Sequence, residues 1–157
     1  MTDLYARFDR LLFDRPAAHV LRLTLNNPDK MNALDQTTHR QLETVWAAID
    51  EDPQTRVTII TGKGRGFCAG GAFDDMPLDS PMDATQTFSK GFAEASRLVA
   101  GIINARKPIV SAINGPAVGA GRAIGGILHR FVRGQRDGRL DAQIVALRAG
   151  LEAGILP

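Results

Sequence analysis

The sequence predicts a layered α/β fold in which parallel strands are joined by helical crossovers. Three observations carry that expectation. A buried-looking strand, Val57-Thr58-Ile59-Ile60-Thr61, runs into a loop of small residues, Gly66-Phe67-Cys68-Ala69-Gly70-Gly71-Ala72-Phe73. A second strand of the same kind, Ile109-Val110-Ser111-Ala112-Ile113, runs into Asn114-Gly115-Pro116-Ala117-Val118-Gly119-Ala120-Gly121. Apolar residues at helical spacing precede each strand, and this order suggests βαβ units with right-handed crossovers.

The elements follow in turn. Val20-Leu21-Arg22-Leu23-Thr24-Leu25 alternates apolar and polar residues, the period of a strand with one buried face. Leu11-Leu12-Phe13 reads as its hairpin partner across Arg15-Pro16-Ala17-Ala18. Asn26-Asn27-Pro28-Asp29 marks a loop. Asp35 stands at the N-cap of a helix whose apolar face carries Leu42, Val45, Trp46 and Ile49, and Asp50 to Pro53 ends it. The polar stretch Asp74 to Gln86 reads as a mobile loop. Helical spacing resumes through Phe88, Phe92, Ala95, Leu98, Val99 and Ile102 until Arg106-Lys107-Pro108 stops it. After Gly121 a further amphipathic helix is expected on Ile124, Ile127, Leu128, Phe131 and Val132. Its N-terminus would lie on the second glycine loop, where the helix dipole favours negative charge. Gly134 to Gly138 breaks it, and Asp141 caps a last short helix through Ile144, Leu147 and Leu151.

A chain of 157 residues, 44% apolar, is expected to form one globular domain around its own core. The formal charge of +2 is unevenly placed. Residues 1–118 hold 13 Lys+Arg against 14 Asp+Glu, and residues 119–157 hold six Arg, no Lys and three acids. Cys68 is the only cysteine, so no internal disulfide is expected and a reducing compartment fits. No charged segment followed by an apolar one opens the chain, and no stretch approaches the ~18 apolar residues of a membrane span. A soluble, cytoplasmic domain that does not engage a membrane is the expectation.

Two strands that end in two loops of tiny residues carry the main chemical hint. Gly and Ala let backbone N–H groups point into a cleft with no side chain in the way. If the two strands are neighbours in one sheet, those groups can converge on one oxygen and form an oxyanion hole. The plain alternative is a pair of tight strand-to-helix turns. Other candidates are weaker. Gly62-Lys63-Gly64-Arg65-Gly66 lacks the spacing of a phosphate-binding loop and reads as a flexible turn with Lys63 and Arg65 solvated. Cys68 has no histidine tied to it by any motif and reads as a small inert residue. His19, His39 and His129 match no metal-ligand spacing. Neither loop contains a carboxylate, and Asp74 and Asp75 just after the first read as a solvated loop start. Arg130, Arg133, Arg136 and Arg139 lack the aromatic interleaving of a nucleic-acid module, so no nucleic-acid partner is expected.

The chain resembles the enoyl-CoA hydratase/isomerase, or crotonase, superfamily at three places in the right order. Leu25-Asn26-Asn27-Pro28-Asp29-Lys30-Met31-Asn32-Ala33-Leu34 resembles its first signature, Phe67 to Phe73 the second, and Lys107 to Gly121 the third. The resemblance covers about Leu11 to Gly121. It implies a spiral of ββα turns, assembly as trimers or dimers of trimers, and acyl-CoA thioester substrates. It implies that the N–H groups of Gly71 and Ala120 form the oxyanion hole for the thioester oxygen. It places Lys30, Met31 and Ala33 along the coenzyme A, with Lys30 near a phosphate, and the backbone around Cys68 and Ala69 on the adenine side. No cofactor is implied beyond the coenzyme A that the substrate carries.

Three departures from the family pattern shape the expectation. Ala72 stands where the family usually has Asp, and Ala123 stands at the position of a hydratase Glu. The second hydratase Glu finds no match in this chain. Residues 1–121 are therefore read as the N-terminal part of a crotonase-like core, and residues 122–157 as a helical tail that departs from the family. The tail carries Arg and no Lys, a composition that a switch of reading frame in a GC-rich gene would produce. Two readings of function follow: an acyl-CoA-binding family member, or a truncated, catalytically silent remnant that binds coenzyme A weakly or only associates with relatives. A homo-oligomer or self-association of undefined order is expected with either.

Overall fold

The computed structural model describes residues 3–72 and 81–125. Asp74, Asp75, His129, the tail arginines from Arg130 onward and the expected tail helices beyond residue 125 lie outside the described residues.

Four strands form one sheet in the order β1-β2-β3-β4. They are β1 (Leu11–Ala17), β2 (Val20–Leu25), β3 (Val57–Gly62) and β4 (Ile109–Ser111). β1 and β2 form an antiparallel hairpin, whereas β2, β3 and β4 run parallel. The hairpin turns later than the sequence predicts, because β1 runs through Arg15 and Pro16 and the turn falls on Ala18 and His19. Proline is tolerated there because β1 is an edge strand and its pairing is irregular between Asp14 and Ala17. His19 takes the left-handed backbone that the tight turn requires (φ 64°).

Alternation in β2 buries Leu21, Leu23 and Leu25 completely, as expected. β3 sits between two parallel neighbours and is apolar through Val57, Ile59 and Ile60. The helix α1 (Gln36–Glu51) starts where predicted. Asp35 Oδ1 accepts the Thr38 N–H and the Thr38 hydroxyl, both at 2.7 Å. Leu42, Val45, Trp46 and Ile49 form its buried face.

The helix α2 (Pro81–Asn104) begins earlier than expected. Its first turns take in residues that the sequence assigns to a polar loop. Pro81 presets the helical φ and lacks only an N–H that would be orphaned at the first position. β4 is two residues shorter than expected, although Ala112 still donates its N–H to the Ile60 carbonyl at 2.9 Å. The side chains of β2, β3, α1 and the end of α2 meet in one core with Phe67, Cys68 and Ile124. The C-terminal ends of β3 and β4 therefore open on the same side, and both small-residue loops leave from there.

Candidate functional site

The sequence sets a condition for a shared site, namely that the two strands be neighbours. The sheet meets it: Ile59 pairs with Val110 and Ile60 with Ser111. Residues 66–72 then run between the second loop and the first signature, held on both sides. Toward the second loop, the Phe67 and Cys68 N–H groups donate to the Pro116 carbonyl at 3.1 and 3.2 Å. The Cys68 carbonyl accepts the Val118 N–H at 2.9 Å. Toward the first signature, Ala69 N–H donates to the Met31 carbonyl at 2.9 Å. The Gly70 carbonyl accepts the Leu34 N–H at 2.7 Å, and Ala72 N–H donates to the Leu34 carbonyl at 2.9 Å. The segment thus forms parallel bridges at Leu34↔Gly71 and at Cys68↔Ala117.

That pattern decides where the Gly71 N–H points. Its two flanking residues bond to Leu34, so its own N–H faces away from the Leu34 segment. Among the described residues it has no backbone acceptor. A Cβ built on Gly71 would meet nothing within 4 Å among the described residues. Ala120 opens the helical stretch 120–125, and its N–H is one of the orphan donors of a helix start. It too has no backbone acceptor among the described residues. The residues just before these two donors, Gly70 and Gly119, have φ of 97° and 53° and lie against each other.

The five residues expected along coenzyme A fall into one neighbourhood. Lys30 is exposed and ends the 3-10 turn Pro28–Lys30. Met31 follows with a left-handed backbone (φ 49°), is half-buried and packs over Gly66. Ala33 is half-buried, and its carbonyl accepts the Asn27 amide at 3.3 Å. The Ala69 bond to Met31 joins this turn to the Cys68-Ala69 pair. Of the backbone groups around Cys68 and Ala69, both of Cys68 and the N–H of Ala69 are engaged within the fold. The Ala69 carbonyl is the group there with no backbone donor among the described residues.

Cys68 is fully buried, and burial pushes its thiol pKa up against an opposing bond from the Gly70 backbone. A Cβ on Gly121 would come within 2.4 Å of the Cys68 carbonyl oxygen, so this cysteine fills a tight contact between the loops. The reading of Cys68 as a small packing residue stands. His39 is buried on α1 with its Nδ1 unpartnered, and burial holds its pKa down against Glu94, Glu43 and Asp35. His19 Nδ1 lies 3.2 Å from the Gln54 carbonyl in the hairpin turn. No group of three His, Cys, Asp or Glu among the described residues could hold a metal. No helix among them is long and apolar enough to cross a membrane.

Two residues at the site escaped the sequence analysis. Lys63 and Arg65 are exposed as expected, but the turn that carries them is held firmly. Asn32 donates to the Lys63 and Gly66 carbonyls at 3.0 and 2.8 Å and accepts the Asn27 N–H at 2.9 Å. Asn114 donates to the Gly62 and Gly64 carbonyls at 2.8 Å each and accepts the Gly62 N–H at 3.1 Å. Both asparagines lie inside the quoted signatures, and that membership was the only signal available.

Comparison with known proteins gives the family and the fold. The family model for enoyl-CoA hydratase/isomerase matches residues 15–127, a little beyond Gly121. The chain is 35% identical over 109 residues to 1,2-epoxyphenylacetyl-CoA isomerase of Escherichia coli (strain K12), covering 68% of this chain and 42% of that protein. It is 36% identical over 107 residues to (E)-benzylidenesuccinyl-CoA hydratase of Thauera aromatica, covering 68% and 40%. The crystal structure of an enoyl-CoA hydratase/isomerase from Mycobacterium paratuberculosis superposes with a TM-score of 0.64 at 31% identity, covering 75% of this chain and 46% of that one. The chain thus spans less than half the length of these relatives. With its three signatures, its mixed sheet and a family match over most of its length, the chain belongs to the enoyl-CoA hydratase/isomerase family and carries part of the crotonase fold.

Proposed function

We propose that this chain binds acyl-CoA thioesters and holds the thioester oxygen between the backbone N–H groups of Gly71 and Ala120. One observation carries the reading. The two loops touch at Gly70 and Gly119, and each contact residue is followed by a backbone donor with no backbone acceptor among the described residues. Two neutral donors that hold one oxygen favour an oxygen that gains negative charge, as an enolate oxygen does. They neither titrate nor require a proton to be lost. Lys30, Met31, Ala33, Cys68 and Ala69 are the groups assigned to the coenzyme A portion, which the substrate brings with it. The relatives named above act on coenzyme A thioesters, which supports the ligand class. A single buried thiol fits a cytoplasmic setting.

The test is a comparison of acyl-CoA with free coenzyme A. Only the thioester supplies the oxygen, so the acyl-CoA should bind more tightly. Gly71→Pro removes the N–H and should abolish that preference. Gly71→Ala keeps the N–H, meets open space and should retain it. Equal affinity for both ligands in the parent chain would overturn the proposal.

A second reading is favoured by Ala123. This residue is exposed on the helical stretch 120–125, where a hydratase of the family carries a Glu. Binding without hydration is the form this takes: the thioester is held, and no carboxylate at residue 123 activates water. Turnover of crotonyl-CoA separates this reading from a competent hydratase.

A further inference from the structure

The geometry points to Asn32 and Asn114 as positioning residues that set the register of the donor strand, and this inference rests on the oxyanion reading proposed above. The two side chains come from different signatures and converge on one atom. Asn32 Nδ2 donates to the Gly66 carbonyl at 2.8 Å, and Asn114 Nδ2 reaches the same oxygen at 3.5 Å. Gly66 is the first residue of the segment that ends at Gly71 and Ala72.

Register matters here because, in a parallel bridge, the residue whose two neighbours bond to the partner turns its own N–H away from that partner. In the observed register Gly70 and Ala72 bond to Leu34, and Gly71 turns its N–H away from Leu34. A slip of one residue would turn the Gly71 N–H onto Leu34 and present a neighbour in its place. The bridges at Leu34↔Gly71 and Cys68↔Ala117 are single pairs and resist such a slip weakly by themselves. The asparagines act where the segment begins. Asn32 is almost wholly buried and sits in a left-handed backbone (φ 56°) that aims its amide at Lys63 and Gly66. Asn114 has its oxygen on the Gly62 N–H and its nitrogen on the Gly62 and Gly64 carbonyls, so its plane is fixed before it reaches Gly66. Neither side chain needs to touch the ligand for this role.

The experiment measures the ratio of acyl-CoA to free coenzyme A affinity for the full chain and four variants. Asn114→Ala and Asn114→Ser remove the amide. Asn32→Asp keeps size and tolerance of the left-handed backbone but loses both donations. Tyr5→Phe, which removes a bond to Asp52 elsewhere in the fold, is the control for lost stability alone. Loss of one or two hydrogen bonds that hold the segment should lower the ratio about five- to tenfold in the asparagine variants. The ratio should not move in Tyr5→Phe at comparable melting temperature. A parent preference for acyl-CoA that survives in folded Asn114 and Asn32 variants would overturn the positioning role and leave the oxyanion reading intact. A parent chain with no preference would overturn the oxyanion reading itself. Asn114→Ser puts no charge against the Gly62 and Gly64 carbonyls, so it decides the matter where Asn32→Asp, with a buried carboxylate facing the Lys63 and Gly66 carbonyls, does not fold.

Discussion

Gly70 and Gly119 meet backbone to backbone: a Cβ built on Gly119 would lie 3.6 Å from the Gly70 Cα, and one built on Gly70 would lie 3.1 Å from the Val118 carbonyl oxygen. Both have positive φ, at 97° and 53°. A side chain at residue 70 would therefore be strained by its own backbone and also press on the opposite loop.

Gly70→Ala is expected to destabilise the chain by about 1–3 kcal/mol, the cost of a non-glycine residue in such a conformation. The displaced loop should also lose the acyl-CoA preference. Gly71→Ala, one residue on, should be close to neutral, because nothing lies within 4 Å of the new atom. Urea unfolding of the two variants side by side is the measurement. Equal cost at both positions would show that the loops do not meet as described.

Hydration of crotonyl-CoA is expected to be slow or absent. Ala123 cannot act as an acid or base, and loss of a positioned general acid/base typically costs about 10²–10⁴-fold in rate. Steady-state assays by absorbance at saturating substrate check this. Robust turnover by this chain would place the catalytic carboxylates at other residues.

Much of this fold is legible in the sequence, for identifiable reasons. β2, α1 and β3 carry strong apolar periods, and the structure follows them to within a residue at most ends. Period is silent on the rest. Pro16 reads as a turn unless β1 is known to be an edge strand, which is a property of the whole sheet. The start of α2 is hidden because polar residues also occupy the first turns of helices. At the site, the small residues announce loops, and the family resemblance singles out Gly71 and Ala120. Asn32 and Asn114 leave no local trace, since their partners at Gly62 to Gly66 lie tens of residues away along the chain. Side chain-to-backbone bonds of that kind follow from the fold and have no sequence period.

Cys68 offers a probe of opening between the loops. It is fully buried, and burial pushes its thiol up, so little thiolate is present near neutral pH. A thiol reagent should react slowly with the native chain and at the rate of a free thiol in denaturant. Gly121→Ala, whose new Cβ would fall 2.7 Å from the Cys68 Cβ, should speed native labelling. Fast labelling of the parent chain under native conditions would contradict the burial of this residue.

Acid sensitivity is expected to centre on Asp52, in the connection between α1 and β3. Its Oδ2 accepts the Tyr5 hydroxyl at 2.8 Å and the Thr55 hydroxyl at 2.6 Å, and it pairs with Arg15. Its Oδ1 accepts the Gln54 N–H at 3.0 Å. Burial acts to raise this carboxyl, but the bonds from Thr55, Tyr5, Gln54 and Arg15 outweigh it and hold the group well below the ordinary value of 3.8. The Tyr5 phenol is pushed up by burial and by the Asp52 charge, so it remains a donor. A carboxyl depressed by folding contributes stability that is fully present above the unfolded value, near pH 4, and is lost as pH falls below it. The parent chain should therefore lose stability steeply from about pH 4 downward. Asp52→Asn should cost about 2–3 kcal/mol near pH 6, the range for hydrogen bonds to a charged group. It should also flatten the acid limb, since the group that titrates is gone. Chemical denaturation between pH 6 and pH 2 compares the two chains. Parallel acid limbs in parent and variant would assign the acid sensitivity to other carboxylates, with Asp35, whose carboxyl is also lowered, the next to substitute.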